Sequence, residues 1–339
     1  MRPLRWPSLP VAALVAVLVA VLATGCTSLG TLPEDPRHEL ATVPFFPQTL
    51  HQCGPAALAT VLGASGVDVT PDSLTPEVYL PDRHGSLQVE LLAAARRHGR
   101  LAFVIEPRFE TLLAEVEAGH PVLVLQDLGA LGIRWWHYAV VIGFDPADER
   151  VVLRSGTERR RVVSRQRFLR SWRTGGNWGV VITTPSQPPA TATGPDYVKA
   201  VVEAGPWLTA ADTDTAYRVM RARWPDSPLV LLAAGNRAYA QGELAEAISD
   251  YRALLALEPR HVAGLNNLAN ALLDAGCPAT ALAEATEAAD LVDPGSPLAA
   301  AVVDTHAKAA IAAKRVNDAL VDGAPARAPG ESGSVCAAE

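Results

Sequence analysis

The sequence has little positive charge and almost no lysine. Its 339 residues include 29 Lys and Arg against 36 Asp and Glu, which gives a net charge of -7. The lysines are Lys199, Lys308 and Lys314. Because general nucleic-acid binding depends on a basic surface, we expect no nucleic-acid partner.

Sequence signals for metal and phosphate sites are also missing. The histidines and cysteines do not fall at the paired spacings of zinc ligands. The glycine-rich stretch TGGNWG (174–179) matches neither a P-loop nor a dinucleotide-binding motif. We therefore expect no metal and no cofactor, and we expect these glycines to form a turn near a cleft.

One apolar run near the N-terminus is too short to span a membrane permanently. It comprises the thirteen residues 11–23, whereas a spanning helix needs about 20 residues. Arg2 and Arg5 precede it and LATGC follows it, in the order of an export signal. LATGC resembles the bacterial lipobox, which implies that residues 1–25 are a signal peptide and that Cys26 is lipidated.

That resemblance also implies a location. The residue after Cys26 is threonine and not the aspartate associated with inner-membrane retention. We expect a protein of the bacterial cell envelope that is anchored only through its lipid. The outer membrane, facing the periplasm, is the predicted site.

The sequence has only four cysteines, and their number bears on whether Cys53 forms a disulfide. With Cys26 lipidated, Cys53, Cys277 and Cys336 remain in an oxidising compartment, and three cysteines cannot all pair. A Cys53–Cys277 bridge stays open, although no local feature favours it. We predict that Cys53 is a free thiol.

Composition divides the chain into successive segments. A linker (26–40) leads into a mixed α/β block (41–185), and a Pro-, Thr- and Ala-rich linker (186–196) follows. An alanine-rich helical region (197–320) comes next, and the tail 321–339 is predicted to be disordered.

The helical region repeats. Pro225, Pro259 and Pro294 end successive apolar-periodic runs and stand 34 and 35 residues apart (259 − 225 and 294 − 259). This spacing resembles that of tetratricopeptide repeats. Small residues fall at packing and turn positions, among them Gly235, Gly242, Ala269 and Gly276. The resemblance implies an all-α repeat domain whose concave surface binds a protein partner.

Cys53 lies where a helix is predicted to begin. In HQCGPAALATVLGASG the apolar residues have helical spacing, Pro55 suits a first turn, and Gly63 or Gly66 ends the run. Unpaired N–H groups and the helix dipole favour a thiolate at such a position, so we expect a lowered thiol pKa. Gly54 is expected to let another backbone or a substrate approach closely.

His137 is the histidine that falls on a strongly strand-like run, RWWHYAVVIGFD. The remaining histidines lie in predicted loops, at helix ends or in the helical repeats. A helix-borne cysteine and a strand-borne histidine further along the chain are the two partners of a papain-like site.

The two segments together resemble the bacteriocin-processing cysteine peptidases. VPFFPQTLHQCGPAALATVL is followed by HYAVVIGFD, with His137 84 residues after Cys53 (137 − 53). The resemblance implies an α+β papain-like fold, with Cys53 as nucleophile, His137 as general base and acid, and Gln48 as oxyanion donor. Gln52 is the rival glutamine, but it adjoins the nucleophile and is expected to point elsewhere.

Several residues are candidates for orienting the His137 ring. Members of that family usually carry Asp or Asn on the next strand, and here the position falls near Ser155. Ser155 is the first candidate, with Thr157 as a neighbouring hydroxyl. Glu158, across a hairpin turn at residues 146–149, and Asp145, which also suits turn initiation, remain alternatives.

The sequence therefore predicts an α+β papain-like cysteine peptidase domain followed by an all-α tetratricopeptide-repeat domain. The predicted function is cleavage of a peptide or protein substrate by an envelope-anchored enzyme. A non-catalytic adaptor and an acyl transferase using the same thiol are the alternatives. Eight arginines in residues 154–173 form either a solvated surface or a contact for an anionic surface or substrate.

Overall fold

A computed structural model describes residues 38–48, 52–129, 133–321 and 336. The predicted signal peptide, the lipidation site Cys26 and nearly all of the predicted tail lie outside these ranges and stay predictions. None of the helices within the ranges is both long enough and apolar enough to cross a bilayer.

The first half of the chain forms one antiparallel sheet. Its order is β2–β7–β3–β4–β5–β6, and β1 pairs with the far end of β4. The strands are β1 (His38–Glu39), β2 (Leu101–Val104), β3 (Val122–Asp127), β4 (Trp136–Asp145), β5 (Arg150–Ser155), β6 (Glu158–Ser164) and β7 (Gly179–Thr183). β4 therefore lies inside the sheet between β3 and β5, which fixes the strand that carries His137.

Helices cover both faces of this sheet. One face carries α1 (Cys53–Ala64), α2 (Pro71–Val78) and α3 (Gln88–Arg97), and the other carries α4 (Phe109–Glu117) and α5 (Arg165–Thr174). A short 3-10 helix (Pro81–Arg83) connects α2 to α3. Side chains of β4 alternate between the two cores, as the pleat of a strand requires. The predicted α+β class is confirmed.

Helix α1 is buried along most of its length. The residues from Gly54 to Leu62 are buried, which holds its first residue, Cys53, in a fixed position against the sheet. Gln52 is the N-cap, and Gly66 follows the end of the helix with φ of +86°. Both ends agree with the predicted boundaries, because apolar spacing starts the helix and a glycine with positive φ stops it.

The second half of the chain is helical. It contains α6 (Gly194–Ala204), a 3-10 helix (Gly205–Trp207), α7 (Ala210–Arg223), α8 (Pro228–Ala240), α9 (Leu244–Leu257), α10 (Val262–Asp274), α11 (Pro278–Leu291) and α12 (Ala299–Val321). The predicted linker 186–196 ends earlier than expected, because Thr193 caps α6 through the backbone N–H of Asp196.

The remaining part of that linker is tied to the first domain. The buried carboxylate of Glu115 on α4 accepts hydrogen bonds from the backbone N–H groups of Ala190 and Thr191. The Thr191 hydroxyl donates to the same carboxylate. The segment therefore docks on α4 through a buried acid.

The helical half has the paired arrangement that its repeat spacing predicts. Helix α8 packs on α9, and α10 packs on α11. Gly242 and Gly276 follow the first helix of each pair with φ of +77° and +82°. A Cβ on Gly235 would lie 2.6 Å from the Tyr251 ring, so the small residue allows α8 and α9 to approach. The identity of these pairs as tetratricopeptide repeats stays a prediction.

The cysteines pair differently from the alternative that the sequence left open. Cys277 forms a disulfide with Cys336, whereas Cys53 is free. The prediction of a free Cys53 is confirmed, and a Cys53–Cys277 bridge is wrong. Nothing in the sequence around Cys336 had marked it as the partner.

Candidate active site

A cleft of about 1020 Å³ opens beside the first turn of α1. Gln48, Cys53 and His137 all line it, although they come from a loop, a helix and a strand. The structure thus brings the three residues predicted for the chemistry into one cavity, which we call the Cys53 cleft.

Burial dominates the electrostatics of the Cys53 thiol. Its pKa is raised above the ordinary cysteine value because burial disfavours the charged form, although the backbone N–H groups of Tyr138, Gly54 and Cys53 itself act in the opposite direction. The predicted lowering of this pKa is therefore wrong. The helix start does stabilise the thiolate, but loss of water outweighs it, so the thiol is protonated at neutral pH.

The peptide group of Tyr138 links the cysteine to the glutamine. Its N–H interacts with the Cys53 sulfur, and its carbonyl accepts a hydrogen bond of 3.4 Å from Gln48 Nε2. Tyr138 directly follows His137 on β4. The backbone of one strand residue therefore sets the relative positions of the three predicted groups.

Gly54 permits a close contact at the same place. A Cβ on Gly54 would lie 2.3 Å from Ser86 Oγ, so no larger residue fits without displacing Ser86. Tyr138 fixes the Ser86 backbone, because its hydroxyl donates to the Ser86 carbonyl at 3.2 Å. The close neighbour of Gly54 is thus a side chain, whereas the sequence predicted a backbone or a substrate at this position.

His137 is the second residue of β4 and is held by the neighbouring strand. Its Nε2 lies 2.9 Å from Ser155 Oγ at the end of β5. Burial, and then the positive charge of Arg161, lower the pKa of His137 to about 4. The imidazole is therefore neutral at physiological pH and is able to accept a proton.

Cys53 and His137, which both lie in the described ranges, make no direct hydrogen bond with each other. They line the same cleft, and such bonds in unliganded enzymes often shorten only when substrate is bound. Their pairing stays a prediction at this point.

The structure separates Ser155, Glu158 and Asp145 as candidates for orienting His137. Ser155 makes the contact just described and is buried. Glu158 instead forms an ion pair of 3.0 Å with Arg161. Asp145 lies at the opposite end of β4, where its carboxylate accepts from the N–H groups of Ala147 and Asp148 in the predicted turn.

Gln48 is held by the turn that follows Ser155. The N–H of Gly156 donates to Gln48 Oε1 at 3.1 Å, and the Gln48 N–H donates to the Gly156 carbonyl at 3.0 Å. With Oε1 occupied, the amide is oriented so that its NH₂ group faces Tyr138. The sequence offered no signal for this contact.

The same two-residue turn thus serves both His137 and Gln48. Ser155 and Glu158 pair across it, and Gly156 adopts φ of +62°, a conformation that favours glycine. No atom lies within 4 Å of a Cβ built on Gly156, so backbone conformation and not space requires glycine here.

The rim of the cleft is partly apolar. Ile133, Trp135 and Trp136 are 75%, 63% and 50% exposed and line the cavity. Thr174, Gly175 and Gly176 also line it, as predicted for the glycine-rich turn. Exposed aromatic side chains beside a cleft offer contact area to a bound chain.

Metal-binding groups are not apparent in the described ranges. No cluster of three or more His, Cys, Asp or Glu side chains there has a geometry suited to a metal ion. The Cys53 cleft is lined by a thiol, an imidazole and an amide side chain.

Residues 40–180 match the model of the Peptidase_C39 like family. A solved structure described as a C39-like peptidase from Bacillus anthracis is 19% identical, with 43% of this chain and 97% of that chain covered and a TM-score of 0.37. The peptidase domain of Streptococcus ComA is 20% identical, with 42% and 98% covered and a TM-score of 0.35.

A third similar structure is a double glycine motif protease from an AMS/PCAT transporter in complex with the leader peptide. It is 21% identical, with 42% of this chain and 91% of that chain covered and a TM-score of 0.32. Comparison with curated proteins gives no match.

The contact between His137 and Ser155 predicts the effect of a charge at position 155. In Ser155→Asp a carboxylate would lie beside Nε2 and stabilise the imidazolium, so the pKa of His137 should rise above about 4. The matched variant Ser155→Ala adds no charge and should leave the pKa low. NMR titration of the His137 ring measures both. An unchanged pKa in Ser155→Asp would show that residue 155 does not face the imidazole.

Proposed function

We propose that this chain, whose residues 40–180 match the model of the Peptidase_C39 like family, is a cysteine peptidase that uses Cys53 as nucleophile and His137 as general base and acid. The observation that carries the proposal is the meeting of Gln48, Cys53 and His137 in one cleft. A free thiol and a neutral imidazole in such a cleft suit acyl transfer.

The first step forms a thioester. In the tautomer whose Nε2–H donates to Ser155, Nδ1 of His137 carries the lone pair and takes the proton of the Cys53 thiol. The sulfur attacks the carbonyl carbon of the scissile peptide bond. The resulting imidazolium then protonates the leaving amine as the carbon–nitrogen bond breaks.

The second step releases the acyl group. His137, neutral again, removes a proton from water as the water oxygen attacks the thioester. The proton returns to the sulfur as the carbon–sulfur bond breaks, and the product is a carboxylic acid. If an amine takes the place of water, the same thioester leads to acyl transfer, so the aminolysis product distinguishes a transferase from a peptidase.

Gln48 is the side-chain donor to the oxyanion in both steps. Its amide is already held by Gly156 and faces the Tyr138 carbonyl at the long distance of 3.4 Å. The Cys53 backbone N–H, at the uncapped start of α1, is the second donor. Fixed donors stabilise the developing negative charge without having to reorient during the reaction.

The resting state of this enzyme differs from a thiolate–imidazolium pair. Burial raises the pKa of Cys53 and lowers that of His137, so both groups are neutral before substrate arrives. Ser155 supplies a hydrogen bond to the ring but no charge to stabilise the imidazolium. Proton transfer therefore accompanies attack, and we expect slower turnover than with an aspartate at this position.

Extended peptide is the substrate class that the cleft suits best. Its volume of about 1020 Å³ and its exposed tryptophans provide contact area for several residues of a bound chain. The C39-like domain supports the same choice, because the family is one of peptidases.

The remaining predictions extend this proposal to the whole chain. The lipobox-like LATGC supports anchoring through Cys26, and the repeat spacing and helix pairs support recruitment of a protein by α8–α11. Membrane fractionation of the chain and of Cys26→Ala tests the anchor. Recovery of both in the membrane fraction would contradict it.

Cleavage of a peptide library, followed by mass spectrometry, tests the proposed chemistry. Cys53→Ala should abolish cleavage, and Gln48→Ala should lower kcat by about 10²- to 10³-fold because one oxyanion donor is lost. Gln52→Ala is the matched control and should cleave like the unaltered chain. Cleavage that persists in Cys53→Ala would refute the proposal, and absence of cleavage by the unaltered chain would favour the non-catalytic adaptor.

A further inference from the structure

A second cavity, of about 790 Å³, lies beside the Cys53 cleft. Its walls come from β3, the β3–β4 connection, β5, β6 and α5. Apolar residues such as Leu128 and Ile133 contribute to its lining, together with four arginines. We call it the arginine cavity.

The arginine cavity carries a strong local positive charge. Its charged lining residues are Arg134, Arg161, Arg167, Arg170 and Asp127, which gives four positive charges and one negative charge, or +3 (4 − 1). The whole chain has a net charge of -7. A positive cavity in an acidic protein attracts anionic groups selectively.

Two of these arginines have no acidic partner within the described structure. Arg134 pairs with Asp127 at 2.8 Å and Arg161 pairs with the exposed Glu158 at 3.0 Å. Arg167 and Arg170 form no ion pair with any described residue. Both are exposed, and their i, i+3 spacing places them on one face of α5. Their guanidinium groups are therefore available to carboxylates.

The two cavities meet. Ile133, Arg134, Trp135 and Thr174 line both of them. Asp127 fixes this boundary, since its carboxylate accepts from the Trp135 N–H at 2.9 Å and binds Arg134. A peptide that lies in the Cys53 cleft and continues past Trp135 and Thr174 would enter the arginine cavity.

We propose that the arginine cavity binds acidic side chains of the peptide substrate, on one side of the bond that Cys53 cleaves, through Arg161, Arg167 and Arg170. This inference rests on the proposed function, because it names a feature of the same substrate. It assigns a role to three of the eight arginines in residues 154–173, namely those that line this cavity.

Peptide carboxylates fit the cavity better than other anions do. The cavity is continuous with the cleft proposed to hold a peptide. Its exposed apolar residues, Leu128 and Ile133, would pack against the aliphatic part of a glutamate side chain. Arginine also forms paired hydrogen bonds with a carboxylate. Free phosphate and anionic lipid present similar charges, so the experiment includes them.

Peptide binding to the full-length Cys53→Ala chain, measured by fluorescence anisotropy, tests the inference without turnover. The probes are fluorescently labelled peptides that carry a cluster of glutamates at one end, and the same peptides with glutamine in place of glutamate. A second set carries the cluster at the opposite end. We expect one glutamate peptide to bind about tenfold more tightly than its glutamine counterpart, from two arginine–carboxylate pairs. Added salt should reduce this preference.

Matched variants assign the preference to the cavity. Arg167→Gln with Arg170→Gln should bring the glutamate and glutamine peptides to about equal affinity, whereas the corresponding lysine variants should retain part of the preference. Arg173→Gln, compared with each single variant Arg167→Gln and Arg170→Gln, is the control, because it removes one positive charge from α5 outside the cavity. Circular dichroism establishes that each variant is folded.

Several results would overturn the inference. One such result is equal affinity for the glutamate and glutamine peptides. Another is a loss of the glutamate preference in Arg173→Gln as large as that in the cavity variants, because it would indicate diffuse charge attraction. Competition by phosphate alone, or arginine-dependent binding to phosphatidylglycerol vesicles without peptide binding, would assign the cavity to another anion. Binding of acidic peptide by a chain that cleaves nothing would refute the peptidase proposal alone, whereas cleavage without acidic preference would refute this inference alone.

Discussion

The site depends on one tight turn between β5 and β6. Ser155, the last residue before the turn, lies 2.9 Å from His137 Nε2, and Gly156 holds both the backbone and the side chain of Gln48. The imidazole and the amide therefore share one support, although they belong to a strand and a loop. Because Gly156 has φ of +62°, a side chain at this position would strain the turn and displace both groups together.

Burial sets the protonation states of the candidate catalytic groups. It raises the pKa of Cys53 and lowers the pKa of His137, and Arg161 adds to the second effect. A neutral thiol beside a neutral base resists oxidation and random alkylation better than a thiolate does. The reaction then depends on bound substrate to complete the alignment, which agrees with the absence of a direct hydrogen bond between these two described groups.

Local patterns in the sequence predicted the elements of the site. Apolar spacing and Pro55 placed the start of α1 at Cys53, and a β-rich run placed His137 on a strand. The sign of the Cys53 pKa shift was not predictable, because it depends on burial by distant segments. Ser155 could not be distinguished from Glu158, because the two residues pair across the same turn and only the folded structure shows which side chain reaches the ring. The bond between Gln48 and Gly156 joins segments far apart in the chain and leaves no sequence signal.

The central claim is that the Cys53 sulfur forms a covalent acyl intermediate with the help of His137. The most direct measurement is the mass of the Cys53-containing fragment after acid quench during cleavage of a peptide identified as a substrate. We expect an adduct equal in mass to the acyl half of the substrate, attached to Cys53, and much slower adduct formation in His137→Ala. Cleavage with no adduct on Cys53 at any quench time, or with the acyl group on another residue, would contradict it.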